Sequence, residues 1–251
     1  MIGKNKLKQL AAYRLQKRCD EEAVFVVEGP KMAGEALVSG FEVVAVCATA
    51  EWGEESRGEW EFYEVTQGEL ERLSNMRAPN QVWMLLRRPS SQQIQSLVAH
   101  IHHTDLILAL DHIQDPGNLG TLLRIADWYG VRHVVCSEET VGCYTPKVVQ
   151  ASMGAVFRTQ VDYVELPEWL AGCGRSVYGA SLQGDAIDAA PRQIEEGAVL
   201  LIGNESRGIG AEAMRHVTHP VLIPNIGGTA ESLNAAVAAG ILMNWMVGAK
   251  N

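Results

Sequence analysis

The chain has 251 residues, 47% of them hydrophobic, and a formal net charge of −9. That composition supports a folded core and excludes a disordered or collagen-like chain. The acidic balance excludes a uniformly basic protein that coats nucleic acid.

The first part runs to about residue 88. Residues 1–19 carry Lys4, Lys6, Lys8, Arg14, Lys17 and Arg18 and no acid, so they can meet phosphates or form a solvated face. Leu7, Leu10, Ala11 and Leu15 stand at helical spacing in the same segment. Val24–Val27 reads as a strand, 31–38 as a helix ended by Gly40, 41–48 and 62–65 as strands, 67–73 as a short helix, and 81–87 as a final strand. Alternating strands and helices predict a small α/β module over 1–88. Within it, residues 51–71 hold eight Glu and one Arg, a face that repels phosphate.

Residues 89–104 read as a linker, and the histidines His100, His102 and His103 in it have no Cys or acid beside them to complete a metal site. Cys19, Cys47, Cys136, Cys143 and Cys173 are scattered without C-x-x-C spacing, so reduced, buried thiols are expected and no metal. The opening MIGKNKLKQL lacks an apolar signal core, and no run of about 18 apolar residues predicts a membrane span; the expected location is cytoplasmic.

From 105 to 251 the pattern is stronger. Strands are expected at 106–110, 131–136, 176–180, 198–202 and 221–223, with an extended stretch at 156–161. Helices are expected at 117–129, 146–153, 166–171 and 231–247. Continuous apolar strands alternating with helices predict a parallel sheet covered on both faces, whose ligands bind beyond the carboxyl ends of its strands.

Three motifs fall at those ends. The first runs from Asp111 through Asp115-Pro-Gly-Asn118 to Arg124; Asn118 opens a helix, and Arg124 follows about 1.7 turns on. A helix start with a neighbouring guanidinium can hold an anion, and an Asn cap plus a surface Arg would look the same. The second is Gly203-Asn204-Glu205-Ser-Arg-Gly-Ile-Gly210, a ligand loop directly after a strand. It is neither a Walker P-loop nor a dinucleotide fingerprint, which leaves a nicotinamide oxidoreductase with little support. The third runs from Ile223-Pro224 through Gly227-Gly228-Thr229 to Ser232-Leu233-Asn234 and an Ala-rich helix.

In this order the patterns D-P-x-N-x-G-x-x-x-R, G-N-E-x-x-G and I-P…E-S-L-N-x-x-x-A resemble the SpoU-type RNA ribose methyltransferases of the SPOUT superfamily. Arg14-Leu-Gln-Lys-Arg18 and Phe25-Val-Val-Glu-Gly29 are similar to that family's N-terminal substrate-binding domain. The 227–229 loop is slightly longer than the family's usual form. The resemblance implies a C-terminal domain with a deep trefoil knot, a homodimer with sites at the subunit interface, and S-adenosyl-L-methionine as cofactor. It implies 2′-O-methylation of a ribose in structured RNA, ribosomal in preference to transfer RNA because of the extra N-terminal domain; a non-catalytic RNA-binding factor of the same fold is the competing class. It also implies functional positions at Asn118, Arg124, Glu205, Ser232 and Asn234. Cofactor contacts are implied at Ser181, Leu182, Gly203, Asn204, Glu205, Ile223, Ser232 and Leu233, mostly through backbone. Arg is a reluctant base, so Arg124 is favoured as a clamp on the developing alkoxide or the adjacent phosphate, with the role of base or proton relay left open. Glu205 is expected to orient Arg124 or Asn118, and Asn234 to position the ribose.

Overall fold

A computed structural model of the chain describes residues 1–52, 58–89, 105–190 and 197–247. Most of the expected linker, including His100, His102 and His103, lies outside the described residues.

The N-terminal part builds a four-stranded sheet. Its elements are α1 (Lys4–Ala11), α2 (Gln16–Glu21), β1 (Val24–Glu28), α3 (Pro30–Leu37), β2 (Val43–Ala48), β3 (Glu61–Glu64), α4 (Gln67–Leu73) and β4 (Val82–Arg87), with the sheet ordered β1-β4-β2-β3. β4 runs antiparallel to both β1 and β2, while β2 and β3 are parallel. Leu7 and Leu10 are buried beneath α1, but Leu15 is 69% exposed, because a 3-10 turn over Ala12–Arg14 breaks the helical phase before it. The single helical segment expected there is therefore two short helices.

The C-terminal part forms a six-stranded, wholly parallel sheet ordered β10-β8-β9-β5-β6-β7. Its elements are β5 (Leu106–Leu110), α5 (Pro116–Trp128), β6 (His133–Ser137), α6 (Pro146–Ser152), β7 (Gln160–Val164), α7 (Leu166–Gly172), β8 (Ser176–Ala186), β9 (Ala198–Ile202), α8 (Ala211–Met214), β10 (His219–Leu222) and α9 (Ala235–Val247). β5, β6 and β9 are buried along their whole length, as continuous apolar runs in a doubly covered sheet require.

Three elements depart from the sequence expectation. The stretch 156–161 is split: Ala155–Phe157 is a 3-10 turn entered through Gly154 at φ 93°, and β7 starts only at Gln160. β8 runs on to Ala186 and pairs with β10 in two registers, Tyr178–Gly179 against His219–Pro220 and Asp185–Ala186 against Val221–Leu222, so residues 180–184 fall between them. The last helix begins at Ala235 rather than Glu231. Asn234 explains that start: its side-chain Oδ1 accepts the backbone N–H groups of Ala236 at 3.0 Å and Val237 at 3.3 Å, the bonds of an N-cap.

The two sheets are not separated by a polar seam. Phe25 of β1 is fully buried, with ring centroids 4.7 Å from Tyr144 and 6.2 Å from Phe157; Phe41 meets Phe157 at 5.5 Å. Val27, Met84 and Leu86 of the first sheet share one apolar cluster with Val148, Val149 and Val156 beside the second. On the rim, Arg158 bridges Glu35 of α3 and Asp127 of α5. These charges are partly exposed, so the aromatic contacts, not the ion pairs, hold the parts together.

Candidate functional site

The site is assembled at the carboxyl ends of β8, β9, β10 and β5. Asp115 ends the turn after β5 and caps α5, its Oδ1 accepting the Asn118 N–H at 2.8 Å. The cap is thus Asp115 and not Asn118. With its backbone satisfied, Asn118 turns its carboxamide outward: Nδ2 donates to the Glu205 carboxylate, and Oδ1 accepts from Asn234 Nδ2 at 2.9 Å. A carboxylate can only accept, which fixes the orientation of the Asn118 amide. One hydrogen-bonded line, Glu205–Asn118–Asn234, therefore joins all three motifs. Of the two roles expected for Glu205, the structure pairs it with Asn118 and not with Arg124.

Glu205 is held by its own loop. Asn204 and Gly208 exchange two backbone hydrogen bonds, at 3.1 and 2.8 Å. The Asn204 Oδ1 accepts the N–H groups of Ser206 at 2.9 Å and Arg207 at 3.3 Å, while its Nδ2 donates to the His112 carbonyl at 3.0 Å. Gly203 lies under this turn, and a Cβ there would sit inside van der Waals contact of the Gly208 and Ile209 backbone. Glycine is thus required by the loop's fold as well as by any ligand above it.

Arg124 is placed elsewhere. Six residues beyond Asn118 on α5, it is rotated by roughly 240° and advanced by about 9 Å. It is exposed and has no hydrogen bond or ion pair among the described residues. Trp128, 85% exposed, follows on the same face one turn later. Ser232 is likewise exposed and joins no hydrogen bond among the described residues. Among the described residues, hydrogen bonds bring together Asn118, Glu205 and Asn234 and do not include Arg124 or Ser232.

The implied cofactor positions gather beside this line. Ser181 and Leu182 lie in the span of β8 between its two registers, Gly203, Asn204 and Glu205 leave β9, and Ile223 leaves β10; the three strands are adjacent. Ser232 and Leu233 immediately precede α9. Leu182 and Leu233 are 71% and 45% exposed, and Ile226 in the adjoining loop 97%, so these apolar side chains cover little within the chain. Exposed apolar side chains around glycine-rich backbone fit the flat, apolar faces of an adenosyl group. The 227–229 loop is stiffened by Asn225, which accepts the Gly228 N–H at 2.7 Å and donates to the Gly228 carbonyl at 3.1 Å.

Four of the five thiols are withdrawn from solvent. Cys19, Cys47, Cys136 and Cys143 are buried, and burial pushes the Cys47 and Cys143 thiols up to about 12, far from a reactive thiolate. Among the described residues there is no group of three His, Cys, Asp or Glu side chains placed to hold a metal, and no helix long and apolar enough to cross a membrane.

The parallel α/β sheet and this ordered set of loops fit a methyltransferase architecture, and comparison with known proteins makes the assignment specific. The family profile "SpoU rRNA Methylase family" matches residues 105–244, and "MRM3-like substrate binding domain" matches 4–83. The chain belongs to the SpoU rRNA methylase family; it is an RNA ribose methyltransferase, and its cofactor is S-adenosylmethionine. It is 29% identical to the 23S rRNA (guanosine(2553)-2′-O)-methyltransferase of Bacillus subtilis (strain 168), over 95% of this chain and 94% of that one. Among solved structures, a TrmH-family protein from Porphyromonas gingivalis superposes with TM-score 0.85 at 34% identity, covering 98% of both chains. An rRNA methyltransferase from Sinorhizobium meliloti with bound AdoMet superposes with TM-score 0.83 at 26% identity, covering 98% of this chain and 95% of that one.

The packing around Gly203 yields a first test. Gly203→Ala is expected to displace the 203–209 turn, lowering cofactor affinity at least about tenfold together with the melting temperature. Calorimetry with S-adenosylmethionine and thermal denaturation read the two effects; unchanged values for both would show that the turn does not need glycine.

Proposed function

We propose that this protein methylates the 2′-hydroxyl of one ribose in ribosomal RNA, with residues 1–88 binding the RNA and 105–251 carrying out the transfer. The observation that carries the reading is the Glu205–Asn118–Asn234 line, which ties the three motifs into one site beside the exposed cofactor loops. The name of the Bacillus subtilis relative, which specifies 2′-O-methylation of 23S rRNA, supports ribosomal over transfer RNA. A protein acting on that substrate works among ribosomes, in the cytoplasm. We also assign the C-terminal domain the trefoil knot of its family.

S-adenosylmethionine, when bound, supplies a methyl carbon on a positively charged sulfur, electrophilic enough to need no metal. The chain's residues then have to align the ribose oxygen and accommodate the charge it develops as its proton leaves. The polar line holds Glu205 and Asn118 in fixed orientations. Both free carboxamide positions of Asn118 are used within it, and Asn234 Oδ1 is used by the helix cap, so we assign Asn234 the role of fixing Asn118. Arg124 carries a guanidinium cation suited to stabilise negative charge on the ribose oxygen or to hold the adjacent phosphate.

Within its own chain Arg124 makes no hydrogen bond to Asn118, Glu205 or Asn234, and helix geometry sets it on another face of α5. We propose that Arg124 of the partner subunit completes the site in a homodimer. The exposed apolar side chains beside it support this: Trp128 on α5, and Val237 (51% exposed) and Ile241 (36%) on the neighbouring α9.

Two expectations follow. Arg124→Ala and Glu205→Ala should each lower methyl transfer about 100-fold or more while the protein stays dimeric. Co-expressed as mixed dimers they should recover about a quarter of wild-type activity, because one site in each heterodimer then has both residues intact. A tritium-transfer assay on ribosomal RNA reads this; no recovery would place both residues in one chain's site.

The RNA-binding arm is narrower than the sequence suggested. Lys6 pairs with Glu61 at 2.6 Å, Lys17 with Glu21 at 4.0 Å, and Arg18 with Glu22. Lys4, Lys8 and Arg14 form no ion pair among the described residues, although Arg14, which donates to Asn75 Oδ1 at 3.4 Å, is close enough to attract the Glu28 carboxylate. Replacing those three with Ala should reduce the salt dependence of RNA binding by roughly 0.7 to 0.9 per lost phosphate contact. Replacing Lys6, Lys17 and Arg18 should change the slope much less, measured by filter binding across salt concentrations.

A further inference from the structure

We infer that Asp111 is a positioning residue for methyl transfer: its buried carboxylate clamps the 203–210 loop and so places Glu205 against Asn118. The inference rests on the reading of Glu205 and Asn118 as the working site. Asp111 is the first residue after β5, and it is only 3% exposed. An ionised carboxylate at that depth is costly unless hydrogen-bonded. Both of its oxygens are bonded: Oδ2 accepts the Gly210 N–H at 2.7 Å, and Oδ1 lies 2.6 Å from His112 Nδ1.

The arrangement grips the Glu205 loop at both ends. Asp111 donates its backbone N–H to the Ile202 carbonyl at 2.9 Å, where the loop leaves β9. Its side chain holds Gly210, where the loop enters α8. Between these points, the Asn204 side chain is anchored to the carbonyl of the very next residue, His112. His112 pays for that position in backbone strain, with φ at 55°, in the left-handed region that a side chain disfavours. Three contacts keep it there: its N–H donates to Ser137 Oγ at 3.0 Å, its carbonyl accepts from Asn204, and its ring bonds Asp111. Glu139 lies on the other side of the ring, 3.7 Å from Nε2. Asp111 thus fixes the loop directly and, through His112, fixes the residue next to Glu205. None of the three motif patterns requires an aspartate here for contact with substrate; its side chain is turned away into the protein.

The test is a double-mutant cycle on single-turnover methyl transfer, at saturating ribosomal RNA and S-adenosylmethionine. Asp111→Ala in the wild-type background should slow transfer about tenfold or more, and Asp111→Asn, which keeps an acceptor for Gly210, should recover it to within about threefold of wild type. On a Glu205→Ala background, Asp111→Ala should add less than about twofold, because the residue it positions is already gone. RNA affinity should stay unchanged throughout. An equal fold-loss on both backgrounds would reduce Asp111 to a general structural role and overturn the inference, as would near-wild-type transfer by Asp111→Ala. Near-normal transfer by Glu205→Ala alone would instead refute the site reading. If Asp111→Ala does not fold, Asp111→Ser takes its place in the same cycle, since its hydroxyl and a water can fill the volume without bridging to Gly210.

Discussion

Asn118 and Glu205 lie 87 positions apart in the chain, and the hydrogen bond between their side chains is the constraint on which the site depends. It can form only because β9 lies beside β5 in register, Leu110 against Ile202, so that the loops leaving both strands start side by side. The sheet sets the distance and the local chemistry of each loop sets the aim. Asp115 takes over the helix cap and frees the Asn118 amide; the Asn204–Gly208 turn lifts Glu205 toward it. Asn234, itself the cap of α9, closes the line from the third motif. A site built this way is preorganised by backbone geometry, with few side-chain rotamers left to fix on binding.

The second constraint is the apolar seam between the sheets. Phe25, Phe41, Tyr144 and Phe157 bury their rings against one another across it. Such packing leaves the RNA-binding part little freedom to swing relative to the methyltransferase sheet. On the proposed reading, substrate choice is a matter of fixed spacing: RNA bound at Lys4, Lys8 and Arg14 would also have to reach the Asn118 site. In the same N-terminal part, acids such as Glu61 and Glu21 pair with neighbouring bases.

Much of this was legible in the sequence because the parallel strands are continuous apolar runs and the motifs follow directly from their ends. The order of the three motifs carries the resemblance to the family by itself. What could not be read was set by tertiary contacts. The start of α9 depended on Asn234 acting as a cap, although Ser232 and Glu231 offered equally good local signals. The burial of Leu15 failed because a 3-10 turn shifted the helical phase. The neutralisation of Lys6 needed Glu61, 55 residues away on another element. Arg124 shares a motif with Asn118, yet the spacing of about 1.7 turns already sets the two on different faces of α5. Asp111 was visible only as the edge of a motif; its second partner, Gly210, lies 99 residues on.

The central claim, that this chain methylates a ribose in ribosomal RNA, is tested most directly by mapping 2′-O-methyl groups in the RNA of cells with and without it. The account predicts that one ribose in ribosomal RNA loses its methyl group when the chain is absent and regains it when the wild-type chain is restored. Unchanged ribosomal RNA, with a ribose methyl lost from transfer RNA instead, would contradict it.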